Sequence, residues 1–179
     1  DMHPVGNKRM SANPIANGGL LLKDLNVPDF RKYALNIKKP GSVEAQDMME
    51  LGHFIRDVVK SNEDKKNFRI FGPDEAMSNR LNHVFEETSR QFNGTRLTND
   101  EFVSADGRII DTMLSEHTCE GMLEGYLLTG RHGFMHSYEA FIRVVDSMTS
   151  QHAKWLKITS ELPWRKEIAS LNYVLASHV

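Results

Sequence analysis

Three short stretches carry residue types suited to chemistry. In "FGPDEAMSNRL", at 71–81, Ser78 and Arg80 follow a Gly-Pro pair and two adjacent carboxylates, Asp74 and Glu75. An apolar run precedes this stretch, and Leu81, Val84 and Phe85 follow at helical spacing, so it reads as a strand-to-helix turn. Turns at the carboxyl ends of parallel strands are where open α/β sheets bind ligands. Backbone N–H groups at a helix start favour an anion, and an arginine there can hold a phosphate through two parallel hydrogen bonds. Spacing alone supports a plainer reading equally well, with Ser78 capping the helix and Arg80 a solvated charge. Asp74 and Glu75 could be an acid/base pair, but adjacent residues point differently and a solvated turn suits them better.

Glu116, in "LSEHTCEG", falls where an apolar strand gives way to a helix, at the ligand edge of such a sheet. It is either a partly buried functional carboxylate or a structural one favoured by the helix N-terminus. His117 is its immediate neighbour, the wrong spacing for chelation on a helix face, and reads as a packed or hydrogen-bonded histidine. Tyr138 and Phe141 flank the next strand-to-helix junction, where aromatics most often belong to the core. His152 shares the apolar side of a long helix with Trp155 and reads as a satisfied core histidine.

The elements that must position these residues follow from periodicity. After an extended lead-in containing "NPIANGG" and "LNVPDF", a helix follows Pro40-Gly41 with Ser42 as its N-cap. Met48, Leu51, Ile55, Val58 and Val59 form its stripe, and Asn62 ends it. Strands are predicted at 68–71, 108–114, 133–138 and 170–179. Helices are predicted from near Ser78, over 115–129 with Gly130 as the terminating glycine, and over 139–161 with Phe141, Val145, Met148 and Trp155 on one side. "QFNGTRLTNDEFVSADG" is a long polar loop. The alternation implies an α/β fold, a mostly parallel sheet flanked by helices, with right-handed crossovers.

Composition narrows the function classes. With 179 residues, 40% of them hydrophobic, the chain can build one real core. A net charge of -2, with 22 basic residues interspersed among 24 acidic ones, carries no nucleic-acid signature. A single cysteine, Cys119, excludes an internal disulfide and multi-cysteine metal sites, in keeping with a reducing compartment. No apolar run reaches membrane-spanning length and no leader precedes the domain, so a soluble, cytoplasmic chain is expected, with no membrane partner. The start at Asp1 and the apolar run "SLNYVLASHV" at the end read as a piece of a longer polypeptide, a sheet truncated at its C-terminus.

The blocks "FRIFGPDEAMSNRL", "LSEHTCEGMLEGYLLTGRHGF", "YEAFIRVVDSM" and "ELPWRKEIASLNY" together resemble successive blocks of phosphoketolase, as does the lead-in "ANPIANGGLLLKDLNVPDF". The resemblance implies residues 1–62 as an interdomain linker with a lead-in helix and 63–179 as an incomplete pyrimidine-binding domain of thiamine-diphosphate type. The full-length enzyme would cleave xylulose 5-phosphate or fructose 6-phosphate with inorganic phosphate to acetyl phosphate and an aldose phosphate. Glu116 would bond the cofactor's pyrimidine nitrogen, Tyr138 and Phe141 would lie against its ring, and Ser78 and Arg80 would hold the sugar phosphate. Mg²⁺ and the diphosphate would be held by another domain, commonly across a subunit interface, in a homodimer or larger oligomer. The isolated chain would then be inactive. Two departures from the family pattern are Ala76, where Thr is usual, and Met122, where the family has Trp. A transketolase-like enzyme, or a binding or regulatory module that kept the fold, are the alternatives.

Overall fold

The computed structural model describes residues 2–9, 12–13, 21, 23–111 and 113–177 of the chain. Most of "NPIANGG", Thr112 and the last two residues of the terminal run therefore lie outside the described residues.

Six strands form one sheet: β1 (Phe68–Gly72), β2 (Arg90–Gln91), β3 (Val103–Ser104), β4 (Ile109–Asp111), β5 (His132–Tyr138) and β6 (Tyr173–Ala176). Every pairing is parallel and the spatial order is β3-β2-β4-β1-β5-β6. Among the described residues three α-helices accompany it: α1 (Asp47–Ser61), α2 (Glu116–Leu128) and α3 (Ile142–Ser160). The α/β class and the parallel sheet are those the periodicity implies.

Alternation along β1 and β5 divides the core. Phe68, Ile70 and Phe134 face α1, joining Ile55, Val58, Val59, Leu81 and Val84. Phe71 and Met135 point the other way, into a cluster with Cys119, Leu123 and Leu127 of α2 and Val145 of α3. Period-2 alternation in strands buried on both faces thus assigns each apolar side chain to one of two layers. α2 stops at Thr129, and Gly130 supplies the left-handed residue after it, at φ 89.

Four local expectations change. α1 begins at Asp47, not beside Ser42, because the backbone is still extended at Gln46; Asp47 Oδ1 then accepts the Met48 N–H at 2.7 Å. The polar loop contains β3 and the end of β2, held by long-range contacts: Arg90 N–H to Phe102 O at 2.7 Å, and Phe85 against Phe102 with centroids 5.0 Å apart. The strand predicted over 108–114 shrinks to β4, leaving Met113 and Leu114 exposed. Phe141 lies on a 3-10 turn and is 40% exposed, while Val145 and His152 form the buried side of α3. His152 packs against Trp155, with Nδ1 3.2 Å from Glu124 Oε1.

One buried carboxyl should make stability depend on pH. Glu120 of α2 is fully buried; the Tyr173 hydroxyl donates to its Oε1, and its Oε2 has no partner among the described residues. Burial raises this carboxyl from 4.5 to about 7, with the Tyr173 bond opposing. Below the lower value it is neutral in both states and contributes nothing. Between the two values the unfolded chain has lost the proton and the folded chain retains it, so stability falls as pH rises and levels off above about 7. The loss amounts to about 3 kcal/mol at the order-of-magnitude level. Glu120→Gln should flatten the profile and stabilise the chain at pH 8 by roughly 1–3 kcal/mol in urea titrations. Parallel profiles for the two chains would contradict this.

Candidate functional site

The strand order fixes where a ligand crevice lies. From β1 the chain leaves toward β2, on the β4 side, whereas from β5 it leaves toward β6 on the opposite side. Adjacent parallel strands whose connections diverge open a crevice at their carboxyl ends. That crevice lies between Gly72 and Tyr138, the carboxyl ends of β1 and β5.

Glu116 is the first residue of α2 and is buried. The Ser137 hydroxyl, inward-facing on β5, donates to Glu116 Oε1 at 3.2 Å, tying the helix start to the strand end. Tyr138 is the next residue along and packs partly on the α1-side core, whereas Phe141 is largely open. His117 is exposed, its Nε2 3.3 Å from Ser115 Oγ.

The segment after β1 departs from the sequence-based expectation. No helix opens at Ser78; residues 75–80 make a single turn, and 82–86 form only a 3-10 helix. The turn closes with Leu81 N–H to Ala76 O and Arg80 N–H to Met77 O, both 3.1 Å, with Arg80 itself at φ 62. That pair of bonds is the closure usually made by a glycine in the left-handed region. α1 packs directly behind it: a Cβ on Gly52 would lie 3.2 Å from the Arg80 carbonyl oxygen. Ser78 Oγ donates backwards to Glu75 O at 3.1 Å instead of capping a helix. Ser78 and Arg80 are both exposed. Arg80 lines an open pocket of about 340 Å³ with Ala45, Gln46, Asp47 and Met48. The positive helix end beside Arg80 is therefore that of α1, partly offset by the Asp47 carboxylate.

A non-glycine residue in the left-handed region costs on the order of 1 kcal/mol and persists where the surrounding structure over-determines it. Arg80→Gly should therefore stabilise the chain by about 1 kcal/mol in chemical denaturation, and unchanged stability would contradict the strain.

Glu75 does not behave as a solvated turn residue. It is buried, its N–H donates to Asp111 Oδ1 at 3.1 Å, and Asp111 is paired with Arg90 at 3.1 Å. Burial, and next the Glu116 charge, push the Glu75 carboxyl up; burial pushes Asp111 up as well, with Arg90 opposing. Asn79 is also fully buried, donating to Glu75 O at 2.8 Å and approaching His136 Nδ1 at 3.5 Å. Burial brings the His136 imidazole down to about 3, so it is neutral. Glu75 Oε2, Asn79 Oδ1 and His136 Nε2 have no partner among the described residues. Three buried polar atoms thus lack partners around the turn after β1, more than a finished core usually leaves, and Glu75 lies close enough to Glu116 to feel its charge. Sequence reasoning missed Asn79, Asp111, His136 and Ser137. The available signal was polar residues at inward strand positions, as in "HSY" and "IID".

Residues 49–179 match the family model for D-xylulose 5-phosphate/D-fructose 6-phosphate phosphoketolase. Over 100% of its length the chain is 66% identical to a probable phosphoketolase of Clostridium acetobutylicum, covering 23% of that protein. It is 60% identical to probable phosphoketolase 2 of Rhizobium meliloti and 58% identical to a probable phosphoketolase of Chlorobaculum tepidum, again over 100% of the chain and 23% of each. The chain thus spans about a quarter of the length of these curated relatives.

Proposed function

Because the chain belongs to the D-xylulose 5-phosphate/D-fructose 6-phosphate phosphoketolase family, we propose that it is the segment of a thiamine-diphosphate-dependent phosphoketolase that holds the cofactor's aminopyrimidine ring. The full-length protein is then a lyase that splits xylulose 5-phosphate, fructose 6-phosphate or both, using inorganic phosphate, into acetyl phosphate and a shorter aldose phosphate. Residues 63–179 are the pyrimidine-binding unit and 1–62 the connection into it. The cytoplasm is its compartment, and a homodimer or larger oligomer its assembly.

The observation that carries this reading is the buried Glu116 carboxylate, fixed by Ser137 at the divergence of β1 and β5. An aminopyrimidine offers ring acceptors and an amino donor, which suits the Glu116 carboxyl and the unpartnered acceptors Glu75 Oε2 and Asn79 Oδ1. When bound, thiamine diphosphate supplies a thiazolium carbon that can lose a proton and attack a sugar carbonyl. Glu116 holds and returns a proton at the pyrimidine ring nitrogen, the first requirement for that loss. Tyr138 and Phe141 cover the ring, a contact of about 0.5–1.5 kcal/mol beyond burial. Ser78 and Arg80 receive the sugar phosphate at the mouth, where the guanidinium can bind two oxygens at once. Mg²⁺ and the diphosphate fall to another domain of the full-length polypeptide.

The test compares two chains. The full-length polypeptide, given thiamine diphosphate, Mg²⁺, xylulose 5-phosphate and inorganic phosphate, should form acetyl phosphate, and the isolated 179-residue chain should form none. A full-length protein that binds the cofactor yet releases no acetyl phosphate from either sugar would overturn the assignment.

A further inference from the structure

Three arginines converge on Tyr126 at the end of the sheet away from the crevice. Arg69 is the second residue of β1, Arg108 immediately precedes β4, and Arg131 immediately precedes β5. Because the strands are parallel and in register, this brings all three guanidiniums to the amino ends of adjacent strands. Arg131 Cζ lies 4.1 Å from the Tyr126 ring centroid and Arg69 Cζ 5.8 Å from it, while Arg108 Nη2 donates to the Tyr126 hydroxyl at 2.8 Å.

No Asp or Glu pairs with any of the three among the described residues, whereas Arg31, Arg56 and Arg90 all have carboxylate partners. Arg108 spends its donors on the carbonyls of Lys66 and Phe68 and on Tyr126. Arg69 bonds Gln91 Oε1 through one nitrogen, and Arg131 uses Nε alone, on Thr129 Oγ1 at 2.8 Å. A guanidinium has five N–H donors, so Arg69 and Arg131 keep most of theirs. Both are half-buried, and burial, with the Arg108 charge adding to it, holds them below the usual arginine range. They line an open pocket of about 320 Å³ whose remaining wall is Phe71, Ile110, Met122 and the α2 surface.

We propose that this pocket is an anion site, distinct from the β1/β5 crevice, that takes a dianionic phosphate group. Arg69 and Arg131 bind its oxygens from two sides. Arg108 sets the local field and orients Tyr126. The apolar wall accommodates a short organic substituent, so the ligand is either inorganic phosphate or a small phosphate ester. Guanidinium forks suit phosphate oxygens geometrically, and half-burial strengthens each bond over its worth in open water. Nothing in this placement depends on the reaction carried out at the crevice.

The experiment uses the full-length polypeptide carrying this segment, with inorganic phosphate and glycerol 3-phosphate as probes. Equilibrium binding is measured in an Arg80→Ala background, so that phosphate at the crevice mouth is suppressed in every sample alike. Arg69→Gln and Arg131→Gln should each weaken one class of phosphate site by about ten- to a hundredfold, and Arg131→Lys by less, since it keeps the charge but not the fork. Tighter binding of the ester would assign the apolar wall to the ligand's substituent; tighter binding of the free ion would assign inorganic phosphate. Near-UV circular dichroism identifies the folded variants, and Arg131→Lys serves if a glutamine variant fails to fold. Unchanged stoichiometry and affinity in the folded variants would overturn the proposal, including the case in which an acidic side chain from elsewhere in the polypeptide already fills the pocket.

Discussion

Gly72→Ala is expected to destabilise the chain by about 3 kcal/mol or more, a large part of the stability of an ordinary domain. The backbone at Gly72 is not in the left-handed region, so the effect is one of space. A Cβ there would lie 2.0 Å from His136 Nε2 and 2.1 Å from Cε1, far inside contact distance. His136 has nowhere to go, because it is fully buried, with Asn79 on its other nitrogen. The strain would fall on the turn that carries Glu75, Ser78 and Arg80. A double-mutant cycle isolates the cause: Gly72→Ala combined with His136→Ala should lose markedly less than the sum of the two single losses, by about 1 kcal/mol or more. Urea unfolding of the four chains measures this, and strictly additive losses would contradict the steric account.

The segments legible in the sequence were those whose signal is local. β1, β5 and α2 announce themselves by apolar runs and 3.6-residue spacing, and Gly130 marks the end of α2 because left-handed backbone favours glycine. The turn over 75–80 escaped because its left-handed position holds Arg80, a residue that gives no such warning. β2 and β3 escaped because two-residue strands have no period to read, and their pairing depends on Phe85 meeting Phe102 across the loop. The start of α1 differs from the expectation at Ser42, a good cap by type, because residues 43–46 are not helical and the backbone is still extended at Gln46.

The site divides the same way. Glu116 was legible from its position between strand and helix, a property of the chain read in order. Its bond to Ser137, and the burial of Glu75 against Asp111 and Asn79, join residues more than twenty positions apart or depend on a turn not foreseen. The roles proposed for Tyr138 and Phe141 rest on the resemblance, which also decides between the two readings that spacing leaves open for Ser78 and Arg80, since aromatics at a strand end and an exposed arginine are ordinary features of soluble domains.

The second large effect concerns Glu116. Glutamine has nearly the same shape, and its amide oxygen can still accept the Ser137 hydroxyl, so Glu116→Gln should leave α2 seated and the crevice intact. Under the proposed function, what it removes is the group that exchanges a proton with the pyrimidine nitrogen, and positioned proton transfer contributes roughly a hundredfold to ten-thousandfold. Loss of packing or cofactor affinity would not imitate this if the site is kept saturated, because occupancy is then equal. The measurement is the rate of deuterium exchange at the thiazolium carbon of thiamine diphosphate bound to the full-length protein, wild type against Glu116→Gln, at saturating cofactor. A reduction of at least about a hundredfold, with folding and saturation unchanged, is the predicted result. Exchange at the wild-type rate would contradict the account and make Glu116 a structural carboxylate at the start of a helix.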